Sequence, residues 1–595
     1  ISTKMKKRNI YKGLLTSAFA LVMLGTTSCD DFLTIHPSNK ITEEEFWEDQ
    51  NDLQSAVRGC YKQFIGSGIM SKLVIWGECR SDNFDLLSEN WDDMKDLMNA
   101  NLLQTNSLFS WADFYKDINF CNKVLEYGPK VIGRDASFTA EDWKPIEAEM
   151  KALRALNMFY LVRTFRDVPL DFKSIGTDRE ARAHSGRQIA AEVVLDSIIN
   201  DVDRIKDNGM RRYSSTAEDK GRFTRESIYT LLADMYLWRA AKNASTDSVA
   251  KYGNQSQEDY QKVITLCDAV LDMYLTRYKE ENPQYNQSSA ANQDNPYFLI
   301  RMRSSNGSTK NVSDEIYSKI FIDGNSSESI FELQFDGSSN KNTPIYSYRD
   351  KVGLYCAESS NAGLLQAASP LQAVSKAIDN TNGVYSQTDM RRWENMRYTE
   401  AGQRVFQIAK YCQTTPEFTN LNDNSEGAKS SRSSTSSFRS NWIVYRLSDV
   451  LLMKAEAISR LEAPTDEQIE SAFNNVTMIL YRSNPTVTSE SDKLKLNDYS
   501  TPSQLFSLVM RERRREFFGE GKRWFDLVRL AEYDGKTSNM LNLLLSKYAT
   551  NTNAVKAKLS SMNSLYSPVY EDEMKVNPLL HQNPAWEKEQ TISRN

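Results

Sequence analysis

Apolar residues recur at every third or fourth position over long stretches of this chain, which is the spacing of an amphipathic α-helix. The cleanest stripe contains Tyr260, Val263, Ile264, Cys267, Val270, Leu271 and Tyr274. The same spacing predicts further helices over 147–165, from Thr224 onward, and over 447–461, 466–482 and 502–532. The pattern therefore predicts a mainly α fold.

Two of the predicted helices carry start signals. Thr42 is followed three residues later by Glu45, the capping-box spacing, and the apolar positions 53, 57, 61 and 64 follow it. Thr224 stands directly before another apolar stripe, and threonine is a preferred N-cap residue. We expect helices to begin at both threonines.

The helices come in pairs that carry small residues, namely Ala233, Ala240, Ala455 and Ala457. Small side chains let neighbouring helices approach closely, so tetratricopeptide-like packing is our expectation. The spacing is too irregular to establish a repeat, and a non-repeating helical bundle would give similar stripes.

The character of the chain changes between about 276 and 441, where runs rich in Asn, Ser and Gly are broken by short apolar runs such as 329–333. This composition predicts loops with a few strands. Loops held on a helical scaffold are where binding surfaces commonly lie. We divide the chain into a signal peptide at 1–28, an N-terminal helical scaffold at 29–275, a loop-rich insertion at 276–440 and a C-terminal helical region at 441–595.

The first thirty residues have the parts of a signal peptide. A basic stretch precedes an apolar core from Leu14 to Leu24, and small residues then lead to Cys29. A cysteine after small residues is typical of a lipid-attachment site, although Thr26 stands where leucine is usual; an ordinary cleavage site with an incidental cysteine is the alternative. The core is too short to span a bilayer, which needs about 20 apolar residues. We expect export, with acyl chains on Cys29 as the anchor.

Charge and cysteine content narrow the function classes. The 595 residues include 73 basic and 79 acidic residues, well mixed, with a formal net charge of −6, so we predict no nucleic-acid partner. Six further cysteines are scattered and never form a C-x-x-C pair: Cys60, Cys79, Cys121, Cys267, Cys356 and Cys412. Buried free thiols are the simpler interpretation, and an isolated bridge among the first three stays open.

Local signatures of catalysis are missing from the sequence. The three histidines, His36, His184 and His581, are far apart, so we predict no zinc enzyme. We name no cofactor and no metal-ligand residue, and a metal ion bound in the loops stays open. No G-x-S-x-G or phosphate-binding loop motif occurs. Paired carboxylates for glycoside hydrolysis cannot be singled out among so many acidic residues. Glu512, Glu516 and Glu520 follow one another at four-residue steps among arginines, and ion pairing along that helix explains them.

Aromatic residues are the richer signal, with 10 Trp, 28 Tyr and 25 Phe. Tyrosine and tryptophan combine a flat apolar face with a polar edge, which suits sugars and suits a protein interface equally well. Most will be core residues. The candidates for ligand contact are those in polar, loop-like context: Trp91, Tyr346, Tyr348, Tyr355 and Trp393.

Six segments spread over the chain resemble the motifs of one protein family. The most specific is ERRREFFGEGKRWFDLVR at 512–529. The others are NWIVYRLSDVLLMKAEA at 441–457, KALRALNMFYLVRTFRDVPL at 151–170, NPLLHQNPAW at 577–586, CDDFLTIHPSNKITEEEFW at 29–47 and GECRSDNF at 77–84. Taken in chain order from Cys29 to Trp586, these segments resemble the SusD/RagB family, outer-membrane nutrient-binding lipoproteins of Bacteroidetes, over the whole mature chain. Arg166 stands where the family usually has glycine, and Ala585 and Trp586 replace Gly and Tyr.

The resemblance implies a fold of about four tetratricopeptide-like helix pairs with a loop-rich ligand region. It implies lipid anchoring in the outer membrane through Cys29, facing the cell exterior, since Asp30 and Asp31 resemble the acidic export signal of such lipoproteins. The implied role is non-catalytic: a lid on a SusC-like TonB-dependent transporter that captures oligosaccharide or polysaccharide and delivers it. We interpret the motif at 512–529 as part of the scaffold, where it joins the two helices of the last pair.

Ligand contacts vary among members of such a family, so none is carried over by motif. We add Arg80, Asp82 and Asn83, from the R-S-D-N segment, to the loop aromatics as candidate ligand residues. For Arg80 and Asp82 a buried salt bridge that supports the loop is the alternative. Three other functions stay open: capture of peptides or glycoprotein glycans, a surface glycoside hydrolase, and an assembly protein that holds partners on helical repeats.

Overall fold

The computed structural model describes most of the chain from residue 46 to residue 587. The described residues are 46–87, 91–184, 186–284, 295–301, 312–313, 315–346, 353–356, 363–380, 384–399, 405–412, 417–418, 439–548 and 550–587. The predicted signal peptide, Cys29, Thr42 and Tyr348 lie outside these residues.

Helices dominate the described chain, as the apolar spacing predicts. They are α1 Gln50–Phe64, α2 Ser67–Val74, α3 Asp92–Met98, α4 Ala112–Val131, α5 Ala140–Phe165, α6 Asp178–Ala183, α7 Ala191–Asp203, α8 Thr216–Gly221, α9 Arg225–Lys242, α10 Thr246–Tyr252, α11 Gln255–Glu281, α12 Glu315–Tyr317, α13 Thr343–Tyr346, α14 Ser369–Gln372, α15 Arg391–Asn395, α16 Leu447–Ser459, α17 Asp466–Arg482, α18 Pro502–Glu516, α19 Arg523–Asp534, α20 Ser538–Leu544, α21 Thr552–Lys558 and α22 Glu571–Val576. The strands are β1 Phe84–Leu86, β2 Val168–Pro169, β3 Gln188–Ile189, β4 Val312–Ser313, β5 Ser329–Leu333, β6 Leu365–Ala367, β7 Met396–Thr399, β8 Val405–Ile408, β9 Glu417–Phe418 and β10 Trp442–Arg446.

The long helices pack against one another in chain order. Helix α4 packs between α1 and α5, α7 between α5 and α9, and α11 between α9 and α16. Helix α16 continues the series onto α17 and α18. Successive helix pairs stacked in this way are the arrangement of tetratricopeptide-like repeats, so the mainly α fold class is confirmed.

Capping chemistry sets where several helices begin. Thr224 caps α9 and forms a capping box with Ser227, as its position in the sequence predicts. Helix α5 begins earlier than the apolar stripe alone indicates, because Thr139 and Asp142 form a capping box ahead of it. Helix α1 begins at Gln50 behind an Asp49–Asp52 capping box.

The single helix predicted over 502–532 is wrong, because two helices occupy this stretch. Helix α18 ends at Glu516 and α19 begins at Arg523. Gly519 and Gly521 both have φ of +73° in the turn between them, a conformation that only glycine adopts without strain. The family-like motif is thus a helix, a glycine turn and a second helix.

This glycine turn packs against the N-terminal half of the chain. Residues Ile75–Cys79 form one turn of π-helix directly after α2. A Cβ atom on Gly77 would lie 1.9 Å from the Gly521 carbonyl oxygen, so the two backbones meet without room for a side chain. The contact fixes the position of residues 80–83, which follow the π-helical turn.

A small four-stranded sheet joins the N-terminal half to the insertion. Its strand order is β1-β6-β8-β7, and all neighbours are antiparallel. The apolar run at 329–333 forms β5, which confirms the predicted strand there, and it pairs with β10 just before α16. The insertion is therefore tied to both helical regions by strand pairing.

Arg166, at the position where glycine is usual in the family-like motif, has φ of +70° at the end of α5. A residue with a side chain is strained there, which explains why glycine is the common choice. The Arg166 side chain pairs with Asp167 at 3.1 Å and donates to Asn563 Oδ1. No helix in the described part of the chain combines the length and the apolar character needed to cross a membrane.

Candidate functional site

Trp91 follows β1 by five residues, on the side where this strand leaves the four-stranded sheet. The pairs Leu86–Leu365 and Met396–Ile408 stand at this end, and the Gln366–Gln407 pair places 365 opposite 408. We call this row of four strand ends the sheet end. With strands about 4.8 Å apart it is roughly 14 Å wide. Trp91 is half-buried and packs against the core, so part of its ring remains accessible.

Trp393 lies at the same sheet end but at its opposite edge, three residues before β7. Its side chain is only 8% exposed, and the Arg392 guanidinium lies 4.4 Å from its ring centroid. Along the chain, both predicted tryptophans therefore stand a few residues from strand ends on the same side of the sheet. Their contact with a ligand stays a prediction, as does that of Tyr348.

Tyr346 and Tyr355 lie in the core, although their sequence context is polar. The Tyr346 hydroxyl donates to the Tyr411 carbonyl oxygen at 2.6 Å. The Tyr355 hydroxyl donates to the Gly519 carbonyl oxygen at 2.8 Å, and its ring packs edge-on against Phe84. The Tyr346 hydroxyl thus joins two parts of the insertion, and the Tyr355 hydroxyl ties the insertion to the glycine turn. Neither side chain is accessible to a ligand in this structure.

Arg80 is buried behind the sheet. Its guanidinium donates to the carbonyl oxygens of Leu565 and Ser564 at 2.7 and 2.8 Å, and it lies 4.0 Å from the Trp524 ring centroid. Burial lowers the pKa of Arg80 to about 9. These contacts hold the C-terminal segment against the N-terminal half.

Asp82 forms the buried salt bridge that we weighed as the alternative to ligand contact. Its carboxylate accepts from Arg523 Nε at 2.8 Å and lies 3.2 Å from Arg514 Nη2. Burial acts to raise its pKa, but the guanidinium groups of Arg514 and Arg523 outweigh it and hold the pKa at about 2. Asn83 is equally buried and accepts from Arg514 Nε at 3.2 Å. In this structure the R-S-D-N segment is buried, and its contacts join the start of β1 to α18 and α19.

Glu78 is a further buried carboxylate in this region. It accepts from the Gly521 backbone N–H at 3.2 Å and from Asn83 Nδ2 at 3.3 Å. Burial raises the pKa of Glu78 from its ordinary value of 4.5 to about 7, despite these hydrogen bonds. Its position inside the π-helical turn makes it part of the contact with the glycine turn.

The glutamates at four-residue steps are ion-paired, but mostly to other elements. Glu516 accepts from Arg391 Nη1, Arg446 Nη1 and Arg482 Nη2 at 2.8, 2.5 and 2.5 Å. Glu520 lies beyond the end of α18 and pairs with Arg446 and Lys410. Only Glu512 pairs along its own helix, with Arg515 at 2.9 Å. Pairing along the helix is thus only a small part of the network.

This network has the electrostatics of a scaffold. Burial acts to raise the pKa of Glu516, but three guanidinium groups hold it well below its usual range. The pKa of Glu520 is likewise held at about 2, chiefly by Arg446 and Lys410 against the effect of burial. The general acid of a glycosidase needs a raised pKa so that it carries a proton near neutral pH. These glutamates are therefore unsuited to that role.

A cleft of about 330 Å³ lies between α18, α19 and α20. Its lining residues are Arg460, Ser503, Phe506, Ser507, Met510, Arg511, Arg514, Arg523, Leu530, Asp534, Asn539 and Leu543. Arg460 is held between two rings, 3.2 Å from the Phe506 centroid and 3.5 Å from that of Tyr533. The sequence did not predict this cleft, because the apolar spacing of the helices that line it indicates only a buried core.

Two family models match the chain. The model described as "SusD family" matches residues 411–586, and the one described as "Starch-binding associating with outer membrane" matches residues 31–237. Between them they cover more than half of the chain and include both the R-S-D-N segment and the glycine turn that packs against it.

Curated relatives match over nearly the full length. The SusD-like protein P38 of Formosa agariphila is 24% identical over 539 residues, which are 88% of this chain and 92% of that protein. The SusD-like protein P25 of the same organism is 24% identical over 544 residues, covering 88% and 90%.

Solved structures share the fold. A SusD superfamily protein from Bacteroides vulgatus superposes with a TM-score of 0.59 at 18% identity, covering 91% of this chain and all of that one. The surface glycan-binding protein A from Bacteroides uniformis superposes with a TM-score of 0.58 at 19% identity, covering 90% and 100%. With both family models, the relatives and the shared helical fold in agreement, the chain belongs to the SusD family.

Proposed function

We propose that this protein captures oligosaccharide or polysaccharide at the cell surface and passes it, uncleaved, to a TonB-dependent outer-membrane transporter that it covers as a lid. The observation that carries the proposal is the superposition on a surface glycan-binding protein over that protein's whole length. The family model whose description names starch binding and the outer membrane supports the same class of ligand and the same location.

The sheet end supplies the ligand face in this proposal. Trp91 offers an aromatic surface on which the apolar face of a sugar ring packs. The R-S-D-N segment at the other end of β1 is held by ion pairs of Asp82 with Arg514 and Arg523, and these pairs anchor the strand that precedes Trp91. A preorganised aromatic surface binds with little loss of conformational entropy.

Affinity gel electrophoresis of the mature protein tests this function. Gels cast with different polysaccharides should retard the protein in at least one case, and no new reducing ends should appear on incubation with that polysaccharide. Release of reducing sugar would identify an enzyme instead. Retardation by no glycan, together with calorimetric binding of peptides, would move the ligand class to peptides.

The proposed location at the outer membrane depends on acylation of Cys29. The proposed transporter partner is tested by co-purification. Acyl chains contribute roughly 0.8 kcal/mol per buried methylene, so several chains on one cysteine anchor a soluble body stably. Radiolabelled palmitate should be incorporated by the wild type and not by Cys29→Ala. Extraction of the anchored protein in mild detergent should bring down a large barrel subunit. A wild-type chain that takes up no palmitate would contradict the anchor, whereas recovery without a barrel would contradict the lid.

A further inference from the structure

Four buried polar side chains from three helices meet inside the N-terminal scaffold. Cys60 lies on α1, Asp117 and Cys121 lie on α4, and Asn157 lies on α5. None of the four is more than 1% exposed. Both sulfur atoms and a carboxylate oxygen of Asp117 lie within 4.8 Å of one another. None of the candidate ligand residues belongs to this cluster, so it is separate from the ligand face proposed above.

Two oxygen atoms of this cluster have no hydrogen-bond partner, Asp117 Oδ1 and Asn157 Oδ1. The Asn157 amide nitrogen donates to Asp117 Oδ2 at 2.7 Å and to the Leu153 carbonyl oxygen at 2.9 Å, which holds the amide directly against the carboxylate. A buried oxygen without a partner costs about 1–3 kcal/mol. A carboxylate oxygen without a partner, close to two sulfur atoms, is an environment that a cation would satisfy.

We propose that Cys60, Asp117 and Cys121 bind a structural zinc ion. The fourth donor would be Asn157 Oδ1 once the amide, which now donates to Asp117 Oδ2, turns its oxygen toward the ion. Zinc accepts thiolate and carboxylate ligands and is four-coordinate in closed structural sites. Binding converts both thiols to thiolates, and their protons leave to solvent. The metal would join α1, α4 and α5, the first three long helices of the scaffold.

The donor set selects zinc over other ions. Calcium and magnesium require oxygen ligands throughout, and copper(I) prefers sulfur ligands without a carboxylate. With Zn–S bonds of about 2.3 Å and Zn–O bonds near 2.0 Å, a tetrahedral site needs donor atoms roughly 3.3–3.8 Å apart. Movements of about 1 Å would bring the two sulfur atoms and the Asp117 oxygen, now within 4.8 Å of one another, to these distances.

Metal analysis of the full mature chain tests the site. The protein is purified after growth with added zinc, dialysed against metal-free buffer and assayed by inductively coupled plasma mass spectrometry. We expect about one zinc per chain in the wild type and less than a tenth of that in Cys60→Ala and Cys121→Ala. Cys79→Ala is the matched control, because Cys79 is equally buried but stands outside the cluster. It should keep its zinc.

Asp117→Asn preserves the shape of the side chain and removes its charge. We expect its affinity for zinc to fall at least tenfold in competition with a chromogenic chelator. Cobalt(II) bound to the wild type should give a thiolate charge-transfer band that both cluster cysteine variants lack.

If the cysteine variants do not fold, the zinc content of the wild type alone tests the site. Absence of zinc from the folded wild type, both as purified and after refolding with added zinc, contradicts the site. A mass two daltons below the reduced chain, with Cys60 and Cys121 resistant to alkylation, would show a disulfide in its place. Glycan binding is measured separately and does not depend on this outcome.

Discussion

At the scale of single residues, buried ion pairs decide what the charged side chains do. Glu516 is fully enclosed among three guanidinium groups. Removing one partner of a buried ion pair is strongly destabilising, because the remaining charges lose both water and counter-charge. This is why a run of charged residues in the sequence is a structural element here and contributes no catalytic acid.

Glu516→Gln tests this interpretation. The substitution keeps the volume and removes the charge that three arginines share, so we expect the free energy of unfolding to fall by about 3–5 kcal/mol. Chemical denaturation measures it. The control is Glu490→Gln, because the Glu490 side chain is 85% exposed in its pair with Lys493 and should change stability by less than about 0.5 kcal/mol. Equal effects of both substitutions would contradict a scaffold role for the network.

Glu78 gives the protein a pH dependence of definite sign. Below pH 4.5 the carboxyl is protonated in the folded and unfolded chains alike. Between pH 4.5 and about 7 the folded chain keeps the proton that the unfolded chain releases, so stability falls as pH rises through this window. A shift of this size corresponds to about 3 kcal/mol.

Glu78→Gln should remove that part of the pH dependence. Unfolding free energies at pH 4.5, 5.5, 6.5 and 7.5 are compared for the wild type and the variant. We expect the difference between them to change steadily in favour of the variant up to about pH 7 and then to level off. A constant difference across the range would show that Glu78 titrates normally.

At the scale of elements, the close contact between the π-helical turn 75–79 and the glycine turn 517–522 is the feature on which the site's support depends. Both turns lack a side chain at the point of contact, and the residues that follow Gly77 reach Arg514 and Arg523 only if the two backbones stay in register.

Gly77→Ala should break this contact. The new methyl group would overlap the Gly521 carbonyl oxygen, so we expect a loss of about 3 kcal/mol in unfolding free energy, measured by thermal and chemical denaturation. Gly59→Ala is the matched control. Gly59 lies within α1, where an added methyl group would meet open space, and alanine there should stabilise the helix by roughly 0.5–1 kcal/mol. A neutral Gly77→Ala would show that the turns separate without cost.

Local patterns predict local elements well and distant contacts poorly. The Thr224 cap and the strand at 329–333 follow from residues within a few positions, and both are confirmed. The split at Gly519 was missed because the apolar spacing continues across the turn. Tyr355 has polar neighbours in the sequence, yet it is buried by Phe84 and Gly519, which lie far away along the chain.

The candidate sites show the same limit. The sheet end depends on the pairing of Leu86 with Leu365, and no sequence pattern encodes that partner. One signal for the cysteine cluster was present: Asp117 and Cys121 stand four residues apart, which places both on one face of α4. Histidine spacing could not indicate the cluster, because it contains no histidine. Cys60 lies on another helix, so its sequence neighbours did not predict its contact with Asp117 and Cys121.

At the scale of the whole molecule, helices packed in chain order form the scaffold, and strand pairing and buried ion pairs join the insertion to it. This arrangement fits the proposed function, in which the protein binds a ligand and covers a transporter as a lid. The carboxylates of Asp82 and Glu78, just before β1, are buried in ion pairs and hydrogen bonds, so in this structure they support the fold.

Calorimetric titration with oligosaccharides of increasing length is the most direct test of the claim that the sheet end is the ligand face. The sugars are taken from whichever polysaccharide retards the protein, and wild type is compared with Trp91→Ala and with Phe172→Ala. Phe172 is a 41% exposed aromatic residue that packs against Arg154 on α5 and belongs to none of the strands of the sheet, so it serves as the control. We predict that affinity rises with length until the chain spans about 14 Å, that Trp91→Ala weakens binding about tenfold, and that Phe172→Ala leaves it unchanged. Undiminished binding by Trp91→Ala would contradict the account.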